Sequence, residues 1–506
     1  MSSDFQKTIL FQNLFYQVPL NDLVLKRIDT IDSKYGTPVY SYPNSKRPVK
    51  KGMIPNGTKT LIFDMDFNKD IQNGSIPESV KTIMFEGGYY AEHASECDGF
   101  NQSIDDETFP KKLEVLKFMG GKFNQVLYEG IFPNTLRELE LSNFFKLPIT
   151  KGVLPESLVK LRINSDYEHS LKGILPKSLK VLILKGNFRN KLFESGEIPE
   201  GIEKLTISVH RGNNQPIPND LIPRSVKVLH LENVNRRYWK NGFFPEGLEM
   251  LNLRDWAREE DGVFEFKGDI LPSTLKDMYM KVIGSVNFEE NCIPDGLKKF
   301  HLYCHSEIRG YQRILPDSVE VLEMEILEER LGEEVEFRYP SSLRELSISG
   351  FYKTLRVLPN TIEKLILKNT SYGIEKGYIP ESVKYLKMTF VPGWEMDMTP
   401  PSLEYLETDG MNYAIHRETI PKTLNLMLKK GGENTNVYIG HFGFIKNRNE
   451  FFEAYERIIE NEMEGFIQKS FSDELLEKMR NPDNLIKWME KGYTMDKSLE
   501  LIGFSV

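Results

Sequence analysis

Ile76-Pro77-Glu78-Ser79-Val80-Lys81-Thr82-Ile83-Met84-Phe85 decides the fold, because the chain repeats it almost unchanged. It returns as Leu154-Pro155-Glu156-Ser157-Leu158-Val159-Lys160-Leu161-Arg162-Ile163 and as Ile379-Pro380-Glu381-Ser382-Val383-Lys384-Tyr385-Leu386-Lys387-Met388. The proline recurs in this setting at Pro55, Pro77, Pro110, Pro133, Pro155, Pro176, Pro199, Pro223, Pro245, Pro272, Pro294, Pro316, Pro340, Pro359, Pro380, Pro400 and Pro421. These 17 copies follow one another at an average interval of about 23 residues, a period that marks a repeat architecture. With the proline as position zero, the third residue on is apolar in 16 copies, the sixth in all 17 and the eighth in 15. Thr58 is the exception at the third position, Thr408 and Lys429 at the eighth.

The two-residue step between the sixth and eighth positions is strand spacing. The three-residue step before it breaks strand alternation, so the chain bends there. Proline fixes φ and removes a donor, which suits an extended connector and opposes a helix. Glycine or asparagine often stands ten residues past the proline, as at Gly87, Gly120, Asn143, Gly186, Asn233, Gly350, Asn369, Gly410 and Gly431. Those residue types tolerate the left-handed backbone of a tight turn after a strand. One repeat is therefore a short strand, a turn, an irregular return and a proline bend. Its length falls in the window of roughly 20–29 residues that leucine-rich repeats occupy.

A single coil cannot bury its own leucines, but stacked coils build one continuous core. The expected fold is mostly β. It is a leucine-rich-repeat-like solenoid of about 17 coils, with a parallel strand strip and extended, proline-containing returns. At roughly 4.8 Å per strand that strip is about 80 Å long. The expected division is an N-terminal cap over 1–48, a solenoid over 49–440 and a small helical C-terminal region over 441–506.

Composition narrows the class. Charged residues make up 27% of the 506 and hydrophobic residues 40%, the mix of a folded, soluble protein. Three cysteines point to a reducing compartment, and the net charge of −9 argues against general electrostatic binding of DNA or acidic membranes. No stretch reaches 18 apolar residues, so no membrane span is expected. Met1-Ser2-Ser3-Asp4 opens no secretory signal. The expected location is the cytoplasm, or the host cytoplasm or virion if the protein is viral.

These residues resemble the FNIP repeat family, a leucine-rich-repeat relative found in social amoebae and in giant viruses that infect amoebae. The name-giving Phe-Asn element reads Phe67-Asn68 with Ile71, Phe100-Asn101-Gln102-Ser103-Ile104 and Phe123-Asn124-Gln125, with a partial copy at Asn214-Gln215-Pro216-Ile217. The resemblance covers roughly 49–431; later copies lose the Phe-Asn element, and no regular asparagine ladder is seen in the sequence. It implies a non-enzymatic interaction protein. Family members often carry an F-box, which would make them substrate adaptors of ubiquitin ligases. Val18-Pro19-Leu20-Asn21-Asp22-Leu23-Val24-Leu25-Lys26-Arg27-Ile28 looks like the opening helix of one, but Tyr35-Gly36-Thr37-Pro38 interrupts where further helices belong. At the other end, Trp488-Met489-Glu490-Lys491-Gly492-Tyr493 and Ser498-Leu499-Glu500-Leu501-Ile502 look like two helices of a ubiquitin-associated domain lacking its third.

Chemistry has few footholds. There is no phosphate-cradling glycine loop and no nucleophile elbow. His301, Cys304 and His305 cluster, but the frame puts His301 on an outward strand position and no fourth ligand is evident. No catalytic residue, metal or cofactor is expected.

In this architecture the strand strip forms the concave face, and positions five, seven and nine after each proline point outward. The densest basic and aromatic run there is Arg254, Tyr279, Lys281, Lys299, His301 and Tyr303, with Tyr385 and Lys387 further on. Tyrosine and arginine are favoured at binding hot spots. The first coils instead present Thr60, Ile62, Thr82, Met84 and Val115, an apolar end for residues 1–48 or a partner to cover. The expected function is a protein–protein interaction scaffold that receives a protein partner on the concave face, ubiquitin-ligase components being one such class. The rival is a structural component of a viral particle or other large assembly, with particle proteins as partners. Neither nucleic acid nor membrane is an expected partner.

Overall fold

The computed structural model describes residues 39–42, 46–86, 99–119, 122–164, 167–186, 192–209, 217–234, 239–255, 264–289, 292–304, 308–309, 315–326, 338–350, 358–369, 373–411, 421–424, 426–431, 434–439 and 443–445. The F-box-like and ubiquitin-associated-like stretches, Asn214–Pro216 and His305 lie outside them. The chain forms two compact units, 1–248 and 249–506.

The first unit carries β1 (Val39–Ser41), β2 (Thr60–Phe63), β3 (Thr82–Phe85), β4 (Val115–Phe118), β5 (Glu138–Leu141), β6 (Lys160–Ile163), β7 (Val181–Lys185), β8 (Lys204–Ser208) and β9 (Val228–Glu232). Each pairs parallel with the next, and from β2 onward the partners hold the same position after their prolines: Leu139 faces Leu161, Leu161 faces Leu182, Leu182 faces Leu205. The second unit continues the pattern in β10 (Met250–Asp255), β12 (Asp277–Val282), β14 (Lys299–Cys304), β16 (Val321–Ile326), β17 (Glu345–Ser349), β18 (Lys364–Lys368), β19 (Tyr385–Thr389), β20 (Tyr405–Asp409) and β21 (Leu426–Gly431). Behind three of these coils, β11 (Phe264–Phe266), β13 (Val286–Phe288) and β15 (Ile308–Arg309) form a second small parallel sheet on the return side. β22 (Asn434–Ile439) and β23 (Gly443–Ile445) follow β21 antiparallel. All 17 proline frames thus lead into a parallel strand, and the fold is a mostly β, leucine-rich-repeat-like solenoid.

The proline works through its carbonyl. In 16 of 17 coils that oxygen accepts the N–H three residues on, as in Leu158 N to Pro155 O at 3.0 Å, which closes a β-turn. Thr58, the polar exception in this column, is buried and also donates its hydroxyl to Pro55 O at 2.8 Å. The next two N–H groups bond one carbonyl of the preceding coil: Lys180 N and Val181 N reach Val159 O at 2.8 and 3.0 Å. The sixth and eighth positions then enter the core, where Leu161, Ile163, Leu205 and Ile207 are fully buried.

Three devices hold the coils in register. A hydroxyl two residues past the proline donates to a carbonyl of the coil before it. Ser157 reaches Leu136 O, Ser178 Leu158 O, Ser318 Leu297 O and Ser382 Ile362 O, each at 2.7 Å. A glycine three residues before the proline takes a left-handed backbone in eight coils, Gly52, Gly74, Gly130, Gly152, Gly173, Gly196, Gly242 and Gly377, with φ between 66° and 88°. It closes the turn that swings the return into the proline bend; Phe243 N bonds Lys240 O across it at 2.9 Å.

The third device is aromatic. Phe67, Phe100, Phe123, Phe145 and Tyr167 stack along the returns, against Phe63, Phe85 and Phe118 from the strands. Beside them a short asparagine ladder does exist. Asn68 Oδ1 accepts Asn101 N at 3.0 Å, Asn101 Oδ1 accepts Asn124 N at 2.9 Å, and Asn124 Oδ1 accepts Lys146 N at 2.9 Å. The Phe-Asn element therefore supplies both a core ring and a backbone clamp. Ten residues past the proline, Asn233, Gly350, Asn369 and Gly410 have the expected positive φ, Asn143 and Gly186 do not, and Gly87 and Gly120 lie outside the described residues.

Candidate functional site

Positions five, seven and nine face outward in three rows across the strands of the second unit. Arg254, Lys281, Tyr303 and Glu325 are successive partners in one row; Asn252, Tyr279, His301 and Glu323 in the next; Met250, Asp277, Lys299 and Val321 in the third. Five of the expected residues meet or adjoin. The Arg254 guanidinium lies 5.5 Å from the Tyr279 ring centre. Tyr279 in turn sits 5.2 Å from Tyr303 and 6.2 Å from His301, and Lys281 stands between Arg254 and Tyr303 in its row. Lys299 occupies the far end of its strand, exposed beside Asp277 and Val321.

Tyr385 and Lys387 belong to a separate cluster. Tyr385 stacks flat on Tyr405, centres 4.4 Å apart, under the Lys364 ammonium at 5.6 Å. Lys387 pairs with Glu407 at 3.1 Å, and Tyr405 donates its hydroxyl to the same carboxylate at 3.2 Å.

Glu323 organises the first cluster, a part the sequence reading did not give it. His301 Nδ1 donates to it at 3.0 Å, the Tyr303 hydroxyl donates to it as well, and the Lys368 ammonium stands 3.7 Å away. The His301 hydrogen bond, helped by Tyr303 and Lys368, outweighs burial and holds the carboxyl at about 2. Burial, and then the Glu323 charge, push the Tyr303 hydroxyl upward. Burial raises Tyr279 against the opposing charge of Arg254. Burial likewise raises Tyr385 and Tyr405. These tyrosines stay neutral donors at any physiological pH. The signal for Glu323 and Glu407 was present in the sequence: each holds the seventh position one coil on from His301 and Lys387.

The arrangement is suited to contact rather than to bond-making. Half-buried aromatic faces with polar rims present area at low entropic cost. His301 and Cys304 leave opposite faces of β14, Cys304 being buried with its thiol toward Gly284 O at 3.4 Å. Among the described residues no group of histidine, cysteine and carboxylate side chains could hold a metal, and no helix is long and apolar enough to cross a membrane. In the first unit, Ile62, Met84 and Val115 are half-buried on the outward face, and β1 extends the sheet edge beside them.

Coils of this build, with a parallel strip and a leucine core, define the leucine-rich-repeat class. One solved structure agrees in fold. The crystal structure of CroV588, described as a novel circular LRR protein, matches with a TM-score of 0.55 and 22% identity over 78% of this chain and 59% of that one. The TLR13–ssRNA13 complex matches with a TM-score of 0.43 and 14% identity over 78% of this chain and 56% of that one. The chain spans less than three fifths of the length of each. No curated protein sequence matches it. The FNIP Repeat family profile matches residues 46–87, 100–144 and 145–187. Residues 46–187 thus carry FNIP repeats.

Proposed function

We propose that this protein is a non-enzymatic scaffold of the cytoplasm that binds a protein partner on the outward strand face of its second unit. The observation that carries the reading is the Arg254, Tyr279, His301, Tyr303 and Glu323 cluster. Two tyrosines and an arginine are packed against one another there on the outward face, the tyrosines half-buried and the arginine exposed. Repeat families and folds of this kind typically mediate contacts rather than catalysis. Lys299, Tyr385 and Lys387 extend the same face and complete the candidate contact set.

The test is affinity purification of tagged protein from the organism that encodes it, in parallel with a Tyr279→Ala/Tyr303→Ala variant of matched stability. A stoichiometric protein recovered with the native chain and lost with the variant supports the reading. Equal recovery by both chains, or turnover of any substrate by the purified protein, contradicts it. Two finer roles divide in the same experiment. Ubiquitin-ligase components that depend on residues 1–48 mark a substrate adaptor; stoichiometric incorporation into purified particles marks a structural component.

A further inference from the structure

Phe390 is the residue the fold explains least. It follows Thr389, the last residue of β19, at the tenth position after Pro380. Among the described residues five coils hold that position in the left-handed region: Asn233 at φ 55°, Gly350 at 75°, Asn369 at 50°, Phe390 at 50° and Gly410 at 61°. Four use glycine or asparagine, which tolerate it; a bulky side chain there is strained. The strain is imposed from both sides. Phe390 N bonds Asp409 O at 3.0 Å, and Val391 and Trp394 immediately beyond are buried.

Burial does not offset that strain, because Phe390 is 58% exposed. Its ring is nevertheless fixed in direction. It lies on the bare backbone of Gly410 in the next coil, where an added Cβ would stand 2.2 Å from Phe390 Cε1. A strained, exposed and oriented aromatic ring with no core to fill is an arrangement found where strain serves a contact.

The neighbouring coils supply its polar flanks. Lys368, Thr389 and Asp409 are partners in one row across β18, β19 and β20. At one strand spacing per step, Lys368 and Asp409 lie about 10 Å apart, the reach of about three residues of extended chain. We propose that this rim is a peptide-binding site that adjoins the Tyr279–Tyr303 cluster, the two sharing Lys368, whose ammonium stands 3.7 Å from Glu323. Its ligand is an extended protein segment with an apolar side chain against Phe390, a basic side chain toward Asp409 and an acidic one that competes with Glu323 for Lys368.

A displayed library of random peptides, selected on the full-length chain, tests this. Recovered peptides are synthesised and their affinities measured by fluorescence anisotropy against the native chain, Phe390→Asn, Phe390→Trp and Leu192→Asn, the last altering an exposed apolar residue of the first unit. The expected peptides carry an apolar residue between an acidic and a basic one. They lose about 30-fold in affinity on Phe390→Asn, the size of a hot-spot truncation, and keep it on Phe390→Trp and Leu192→Asn. The urea midpoint of Phe390→Asn is expected to equal or exceed that of the native chain, since asparagine suits the backbone. Recovery of no peptide, recovery of peptides indifferent to Phe390→Asn, or a lowered midpoint would each overturn the proposal. Loss of the partner of the Tyr279–Tyr303 cluster would not affect these measurements.

Discussion

Glu323 shows how one side chain on the outward face acquires a stability role as well as a surface role. Its folded-state pKa of about 2 lies below the ordinary carboxylate value. Its contribution is therefore present above about pH 4.5 and is lost as pH falls toward 2. Glu323→Gln is expected to flatten the acid limb of stability by an amount on the order of 2 kcal/mol. Urea midpoints at pH 6 and pH 3 check this: the native chain loses more between them than the variant does. Gly242 gives the backbone counterpart. Its φ is +83° and nothing lies within 4 Å of where a Cβ would go. Gly242→Ala thus meets no clash, only an unfavourable backbone, and is expected to destabilise the chain by about 1–2 kcal/mol in urea unfolding.

At the scale of the element, the strand and its two core positions were legible because their pattern is periodic and independent of neighbours. Leu161 and Ile163 were placed in the core by offset alone, and they are fully buried. The serine at the second position stood in the quoted text but gave no signal, since its partner is a carbonyl on the preceding coil. The glycine before the proline was less legible for another reason: only eight of the 17 coils carry it, and the others place a different residue at that offset. Outward positions of the candidate site followed from parity. The pairing of His301 with Glu323 required the further step of aligning equal offsets in adjacent coils. The serine device has a measurable consequence. Ser178→Ala leaves the Leu158 carbonyl without that donor, and about 1 kcal/mol of stability is expected to go with it. Ser178→Thr is expected to restore most of the loss in the same denaturation experiment.

At the scale of the whole molecule, each unit is a stack in which a coil touches chiefly its neighbours, so damage spreads along the stack by loss of interfaces. Leu161 is buried against Leu139 and Leu182 in register. Leu161→Asp places a charge in that column, which no partner compensates. Hydrogen exchange read by mass spectrometry is expected to show protection lost in β5, β6 and β7 first; native protection throughout would mean Leu161 does not face the core. The account as a whole rests on coils stacked in parallel with equal offsets aligned. Ile183 and Thr206, the seventh positions of adjacent coils, are Cα partners on the outward face. In a chain whose native cysteines are replaced by alanine, Ile183→Cys with Thr206→Cys is predicted to form a disulfide rapidly on mild oxidation, and Ile183→Cys with Ile207→Cys is not. Cross-linking of the second pair in preference to the first, or of neither, would contradict the central claim.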